Sequence, residues 1–477
     1  MSRLSSGLGL RRTCLAAVAS GAMLFSPAML WAHAHLVKSL PAAKSRLSSS
    51  PTVLRLWFSE APEVALTRIT LLTLRGDTVP LGAVSRDSAG ASAVATAILR
   101  VLDAGTYRVL WRTAAADGHP THGEFTFTVV SSTTQPAAGV PPSRPAVSRT
   151  NPSVTAAPGD STAEMHTHAS PLDSLSPIYV AIRWLWLTAL VLVVGTVAFR
   201  LFVLSGPGIS MMDASVAKIL HDRTARMGLW VTVVLGAAIL VRLVAQAAVL
   251  GGVPVATILY HTTWGRGWLA QCGASILAAL GFVLARRSMR MQRAGWGAAV
   301  VGATILAVTP ALSGHAIATS RFTALAVLVD GAHVLGAGGW LGNLFALTAI
   351  GLPAIHLFDP AARGPALSVM VNRFSKTAIV FATLTLVSGG TTAWLHLGSF
   401  PALWQTRYGQ TLLVKLGVLA GVIALGAYHW RVVRPALGEG GDANVLRLRR
   451  SVRVELLVGA VVLAVTAVLV ATPIPSE

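Results

Sequence analysis

The chain has 477 residues, 53% hydrophobic and only 12% charged, a balance that excludes an assembly of soluble domains and puts most of the chain in a bilayer. Its formal net charge is +20. Lys and Arg fall mostly between apolar runs instead of forming a dense basic domain, so this charge reports membrane topology and gives no ground for a nucleic-acid partner.

The amino-terminal stretch carries Arg3, Arg11 and Arg12 ahead of an apolar run from Leu15 to Leu30, then Ala32-His33-Ala34. Small residues flanking His33 fit a secretory cleavage rule, so residues 1–34 read as a signal peptide, with the Sec and Tat routes both open. Cys14 leaves with it and Cys272 lies in an apolar stretch, so the mature chain has no disulfide and no thiolate pair for a metal. Cutting after Ala34 makes His35 the new amino terminus. A terminal His chelates through its α-amine and ring Nδ1 together, and an amine pKa of roughly 8 lets a metal displace the proton near neutral pH. That chemistry suits Cu(II).

Residues 35–130 contain short β-branched or aromatic runs at Val53–Ser59, Ile69–Leu74, Tyr107–Thr113 and Glu124–Val130, separated by Pro, Gly, Ser and Asp turns. This pattern predicts a small all-β Greek-key sandwich. Asp103-Ala104-Gly105-Thr106-Tyr107 fits a tyrosine corner, in which the phenol bonds back to nearby backbone. Residues 131–176 turn to Pro, Ser, Thr and Ala and read as a disordered linker. Met165-His166-Thr167-His168 within it is either a loose copper catch or a tail with occasional histidines.

From Pro177 to Pro473 the chain predicts an all-α membrane domain, with spans near 178–204, 227–251, 265–285, 295–313, 323–349, 376–398, 411–433 and 454–472. Basic residues collect in alternate connections: Lys218, Arg223 and Arg226; Arg286, Arg287, Arg290 and Arg293; Arg363 and Arg373; Arg431, Arg434, Arg447, Arg449, Arg450 and Arg453. By the positive-inside rule these face the cytoplasm, which puts the sandwich and the carboxyl terminus on the exported side of a bacterial inner membrane.

Asp117-Gly118-His119-Pro120 stands just before the last strand, where a loop can present it beside His35. One amine, two imidazoles and a carboxylate form a compact N/O set that suits Cu(II). The absence of Met from residues 35–130 argues against a Cu(I) thioether site. The segments His35-Leu36-Val37, Phe58-Ser59-Glu60, Ala104-Gly105-Thr106-Tyr107, Trp111-Arg112 and Asp117-Gly118-His119-Pro120 with Gly123 resemble the CopC family of periplasmic copper-binding proteins over nearly all of this region. The resemblance implies a Cu(II) site made by His35, His119 and Asp117, with Glu60 a further oxygen donor. His122 lies outside that pattern and reads as a solvated loop histidine.

Ionisable side chains inside a span cost a few kcal/mol each on insertion scales, which makes them functional candidates. His315, Asp330, His333 and His396 form a set of copper-path candidates in the exported half of the spans, with His261, Lys415 and Arg242 at similar depth. Asp330 and His333 are three apart on one helix face, so the carboxylate is expected to orient the imidazole. Asp330, Lys415 and Glu455 are candidates for proton or ion coupling. The segments Thr263-Trp264-Gly265, Leu312-Ser313-Gly314-His315-Ala316, Asp330 through His333 to Trp340-Leu341-Gly342, Arg373-Phe374-Ser375, Tyr408-Gly409-Gln410 with Lys415, and Glu455 leading to Pro473 resemble the CopD copper-resistance family. Members of that family are held to move copper across the inner membrane.

The expectation is a copper-binding transport protein and not an enzyme: the sandwich captures Cu(II), and the bundle receives copper over a tether of roughly 46 residues, long enough to act as a flexible coil. The partners are the copper ion and the lipid bilayer; no nucleotide-binding loop is present. The oxidation state of copper within the bundle is open. Two rivals stand beside this reading: a membrane oxidoreductase in which histidine pairs hold haem and reduce captured copper, and a non-transporting sequestering or sensing protein.

Overall fold

The computed structural model describes residues 35–130 apart from 91, 117 and 119, then 176–205, 213–313, 323–428, 431, 442–472 and 475, with backbone alone at 289 and 442–447. The first block forms nine strands: β1 Leu36–Leu40, β2 Arg46–Leu47, β3 Val53–Phe58, β4 Arg68–Thr73, β5 Thr78–Val79, β6 Ser85–Arg86, β7 Ala93–Ala97, β8 Gly105–Ala114 and β9 Pro120–Val129. They build two sheets, ordered β1-β3-β7-β6 and β2-β9-β8-β4-β5, antiparallel except for the β2–β9 pair.

Alternation decides which side chains fill the space between the sheets. Leu54, Leu56 and Phe58 point inward from β3, and Val109 and Trp111 from β8 meet Phe125, Phe127 and Val129 from β9. Tyr107 stacks on Phe127, ring centroids 5.6 Å apart, and its hydroxyl donates to Asp103 O at 3.0 Å, so the tyrosine corner is present. Trp111 faces Gly123 in register, and a Cβ there would lie 2.6 Å from the indole, so only glycine accommodates the ring. The five strands the sequence pattern did not reveal are short or, like β7 with Ala93-Val94-Ala95-Thr96-Ala97, built on alanine, a weak strand former.

Among the described residues eight helices are long and apolar enough to cross a membrane. The main elements are α1 Pro177–Ala198, α2 Ala214–Leu250, a short α3 Val255–His261, α4 Thr263–Ala285, α5 Met289–Leu312, α6 Thr323–Ala337, α7 Pro360–Leu397, α8 Arg407–Tyr428 and α9 Asp442–Leu469. α6 runs on through two widened turns, Gly338–Gly342 and Leu347–Gly351, to a helical stretch ending at Leu357. Small residues let the spans approach backbone to backbone. A Cβ on Gly281 would lie 2.5 Å from Ala299 N, and one on Gly302 2.7 Å from Ala278 N, which seats α4 and α5 antiparallel along a glycine–alanine seam. The same device joins α6 to α7, where Gly336 faces the backbone of Thr385.

The sandwich does not stand apart from the bundle. Leu66 and Ala114 are buried in the same apolar cluster as Leu250, Ile258 and Trp264, at the end of the bundle formed by the carboxyl terminus of α2, α3 and the amino terminus of α4. The sequence suggested a domain free on its tether; the sandwich is instead packed on the helices.

Candidate metal centre and the polar face of the bundle

His35 is exposed at the head of β1. Its backbone N donates to Ser59 Oγ at 3.2 Å and its carbonyl accepts from Ser59 N at 3.0 Å, which puts it beside the turn that carries Glu60. That segment continues to Pro62, bridged to Ala115, and to Glu63, whose amide donates to Ala114 O. Ala115 opens the tight turn that reaches Gly118, closed by Gly118 N donating to Ala115 O at 2.9 Å with Gly118 in the left-handed region at φ +83. Hydrogen bonds thus tie His35 to Ser59, next to Glu60, and residues 60–63 lead from there to Ala114 and Ala115, where the turn to Gly118 begins. Asp117, His119 and His315 lie outside the described residues. Among the described residues no group of three His, Cys, Asp or Glu side chains could hold a metal. His122 is exposed on β9, paired in register with Arg112.

The turn rests on the helices. Gly118 O accepts from Gln246 Nε2 at 2.5 Å, and Gln246 Oε1 accepts from the Tyr179 hydroxyl at 3.3 Å. A Cβ on Gly118 would lie 2.9 Å from Gln246 Nε2 and 3.2 Å from the Trp264 ring, so glycine serves both the left-handed turn and the close approach. Two charged side chains of the sandwich meet helix ends of opposite polarity. Arg112 donates to Val249 O at 3.1 Å and Leu250 O at 2.7 Å, the last carbonyls of α2, and Glu63 Oε1 accepts from Thr263 N at 2.7 Å, the first amide of α4. Beneath them Arg242 is buried over Trp186, 3.9 Å from the ring centroid, and Arg183 is buried over Tyr179 at 4.5 Å.

Sequence reasoning missed this contact. Arg112 stands in the CopC-like pattern with no role attached, and no pattern in the sequence marks Glu63. Gln246 carried the available signal: an amide near the end of an apolar span needs a partner for both its donor and its acceptor.

A second polar set lies between α6, α7 and α8. Thr392 Oγ1 of α7 donates to Asp330 Oδ1 at 2.9 Å, and Lys415 stands on α8. His333 turns the other way. Its Nδ1 lies 3.0 Å from Thr385 O and 3.3 Å from Ser388 Oγ, with the ring against Gly389, where a Cβ would come within 2.8 Å. The expected Asp330–His333 pairing is thus not made: the neighbouring helix comes closer to each side chain than they come to one another. With Nδ1 engaged, Nε2 is the nitrogen through which His333 would bind a metal. His396 Nδ1 lies 3.0 Å from the Tyr408 hydroxyl, and the two rings meet edge to face. Glu455 is remote from this set; it is buried and lines a cavity of about 360 Å³ with Trp340, Phe374, Gly426 and Val452.

Family models match the chain in three blocks: the CopC domain over residues 36–130, the N-terminal domain of copper resistance protein D-like proteins over 172–322, and copper resistance protein D over 368–469. Copper resistance protein C of Pseudomonas syringae pv. tomato is 32% identical over 125 residues, covering 25% of this chain and 98% of that protein. Copper resistance protein D of the same organism is 24% identical over 303 residues, covering 60% of this chain and 93% of its own. Fold and matches together define a copper-handling protein with a CopC-like β-sandwich on a multi-pass helical domain. Copper transport protein CutJ of Bacillus subtilis (strain 168) is similar along almost the whole length, 27% identical over 468 residues, 95% of this chain and 77% of that protein. The chain belongs to the CopC–CopD copper resistance family, as a fusion of the two modules.

Proposed function

We propose that the protein captures Cu(II) on the exported side of a bacterial inner membrane and passes copper through its helical domain into the cell. The observation that carries this reading is the seating of the Gly118 turn on Gln246 and Trp264, because the residues flanking Gly118 are two of the proposed copper ligands. In this reading His35, freed by removal of residues 1–34, binds Cu(II) through its amine and Nδ1. His119 supplies the second imidazole and Asp117 and Glu60 supply oxygens, an N/O set matched to the oxidised ion. His315, His333 and His396 are the copper-path candidates beyond, with Asp330, Lys415 and Glu455 available for coupling to a proton or ion gradient. Residues 1–34 act as signal peptide, 35–130 as capture domain, 131–176 as linker and 177–473 as membrane domain.

The test is copper uptake into oriented proteoliposomes holding the processed protein, with Cu(I) and Cu(II) supplied separately. Time-dependent accumulation above protein-free liposomes is expected. Tight Cu(II) binding without accumulation of either ion would replace transport by sequestration.

A further inference from the structure

The contact between sandwich and bundle has the features of a fixed mount. Arg112 sits on the negative end of α2 and Glu63 on the positive end of α4, each charge opposite in sign to the helix end it meets. The two anchors come from different parts of the sandwich, β8 and the stretch before β4, so together they oppose rotation as well as separation. Leu66 and Ala114 extend the helical core into the sandwich between them. The third point is the turn itself, gripped by an amide whose two ends are both used, toward Gly118 O and toward the Tyr179 hydroxyl. Leucine at 246 would leave that carbonyl and hydroxyl unpaired, and glutamate would turn an oxygen on the Gly118 carbonyl.

We propose that the sandwich hands over its cargo while docked, and that Gln246 is the positioning residue holding the Asp117–His119 turn on the ends of α1, α2 and α4. This deepens the copper reading and rests on it. A sandwich that shuttled on its tether would have to break three anchors and re-expose buried apolar surface at every turnover. Its delivery rate would also follow the effective concentration set by the tether, which falls roughly as the −3/2 power of length.

The experiment measures copper uptake by proteoliposomes of the full processed chain, alongside its Cu(II) affinity. Doubling the stretch 131–175 with further Pro, Ser, Thr and Ala sequence is expected to leave the parent rate unchanged. Gln246→Glu and the Arg112→Ala, Glu63→Gln double variant are expected to lose roughly tenfold in maximal uptake rate, with Cu(II) affinity at the parent value and with a rate that now depends on tether length. A threefold fall in the parent on doubling the tether, about the value the −3/2 power gives, would overturn docked handover. So would parental uptake in both docking variants. A parent that binds no Cu(II) or moves no copper would instead remove the copper reading, and hydrogen exchange at 114–118 and 249–251 would still report whether the mount exists.

Discussion

His122 stands on β9 opposite Arg112, exposed and outside the turn, while His119 adjoins Gly118, whose carbonyl is held by Gln246. The two histidines are three residues apart and differ in what the fold asks of them. His119→Ala should weaken Cu(II) binding by orders of magnitude and His122→Ala should scarcely change it, by competition titration of the processed protein. The reverse order would move the site. A chain with one extra residue ahead of His35 should lose affinity comparably, because the α-amine becomes an amide with no lone pair to donate. Equal affinity of extended and processed forms would refute chelation through the amine. Gly123 has a different duty: Gly123→Val forces a side chain into the Trp111 ring and should destabilise the sandwich by about 1–3 kcal/mol, read as a lower midpoint in denaturant.

Helix ends and strand edges decide the next level. α2 ends at Leu250 with its terminal carbonyls turned toward Arg112, so a side chain of the sandwich does what a capping residue of the helix would otherwise do. Arg112→Ala leaves β8 intact, since the residue pairs through its backbone with Arg68 and His122. It should nevertheless raise hydrogen exchange at Gly251 and its neighbours and lower the stability of the docked form by about 1–2 kcal/mol. Exchange at parental rates would show that the carbonyls have another partner. The seam between α4 and α5 makes a different point, because beside the Gln271–Thr309 hydrogen bond and the edge-to-face Phe282–Trp296 pair its closeness comes from glycine. Gly281, Gly295 and Gly302 let backbone meet backbone, and the association comes from packing that any larger residue would disrupt.

Across the whole molecule the polar groups fall into separate zones. The docked turn with Gln246, Tyr179, Arg183 and Arg242 lies over α1, α2 and α4, while Asp330, Lys415, His333, His396 and Tyr408 join α6, α7 and α8. Within the second zone the carboxylate accepts from Thr392 of α7, and the histidine three residues along turns instead to Thr385 and Ser388 of the same helix. A double-mutant cycle on uptake should therefore give strong non-additivity for Asp330→Asn with Thr392→Val, the pair being little worse than the worse single variant. Asp330→Asn with His333→Ala should be near additive, within about 0.5 kcal/mol. Coupling of the Asp330–His333 pair above that of Asp330–Thr392 would restore the pairing within α6.

The sequence by itself determined the partition of the chain, because period-two alternation and long apolar runs are local properties of the residues. Leu54, Leu56 and Phe58 need only their spacing to define an inner face, and the eight apolar stretches need only their length. It also nominates His35 and the Asp117–His119 turn as the proposed copper ligands, through a cleavage rule and a ligand set that stand in short contiguous segments. What only the tertiary structure decided is which distant groups meet. A spacing of three residues says that Asp330 and His333 share a face of α6, but it does not say that α7 approaches at Gly389 closely enough to supply the nearer acceptor. Nor does any local pattern say that Arg112 and Glu63 find the ends of helices more than a hundred residues away: partner choice is set by how whole elements pack, and packing is not encoded within a window of sequence.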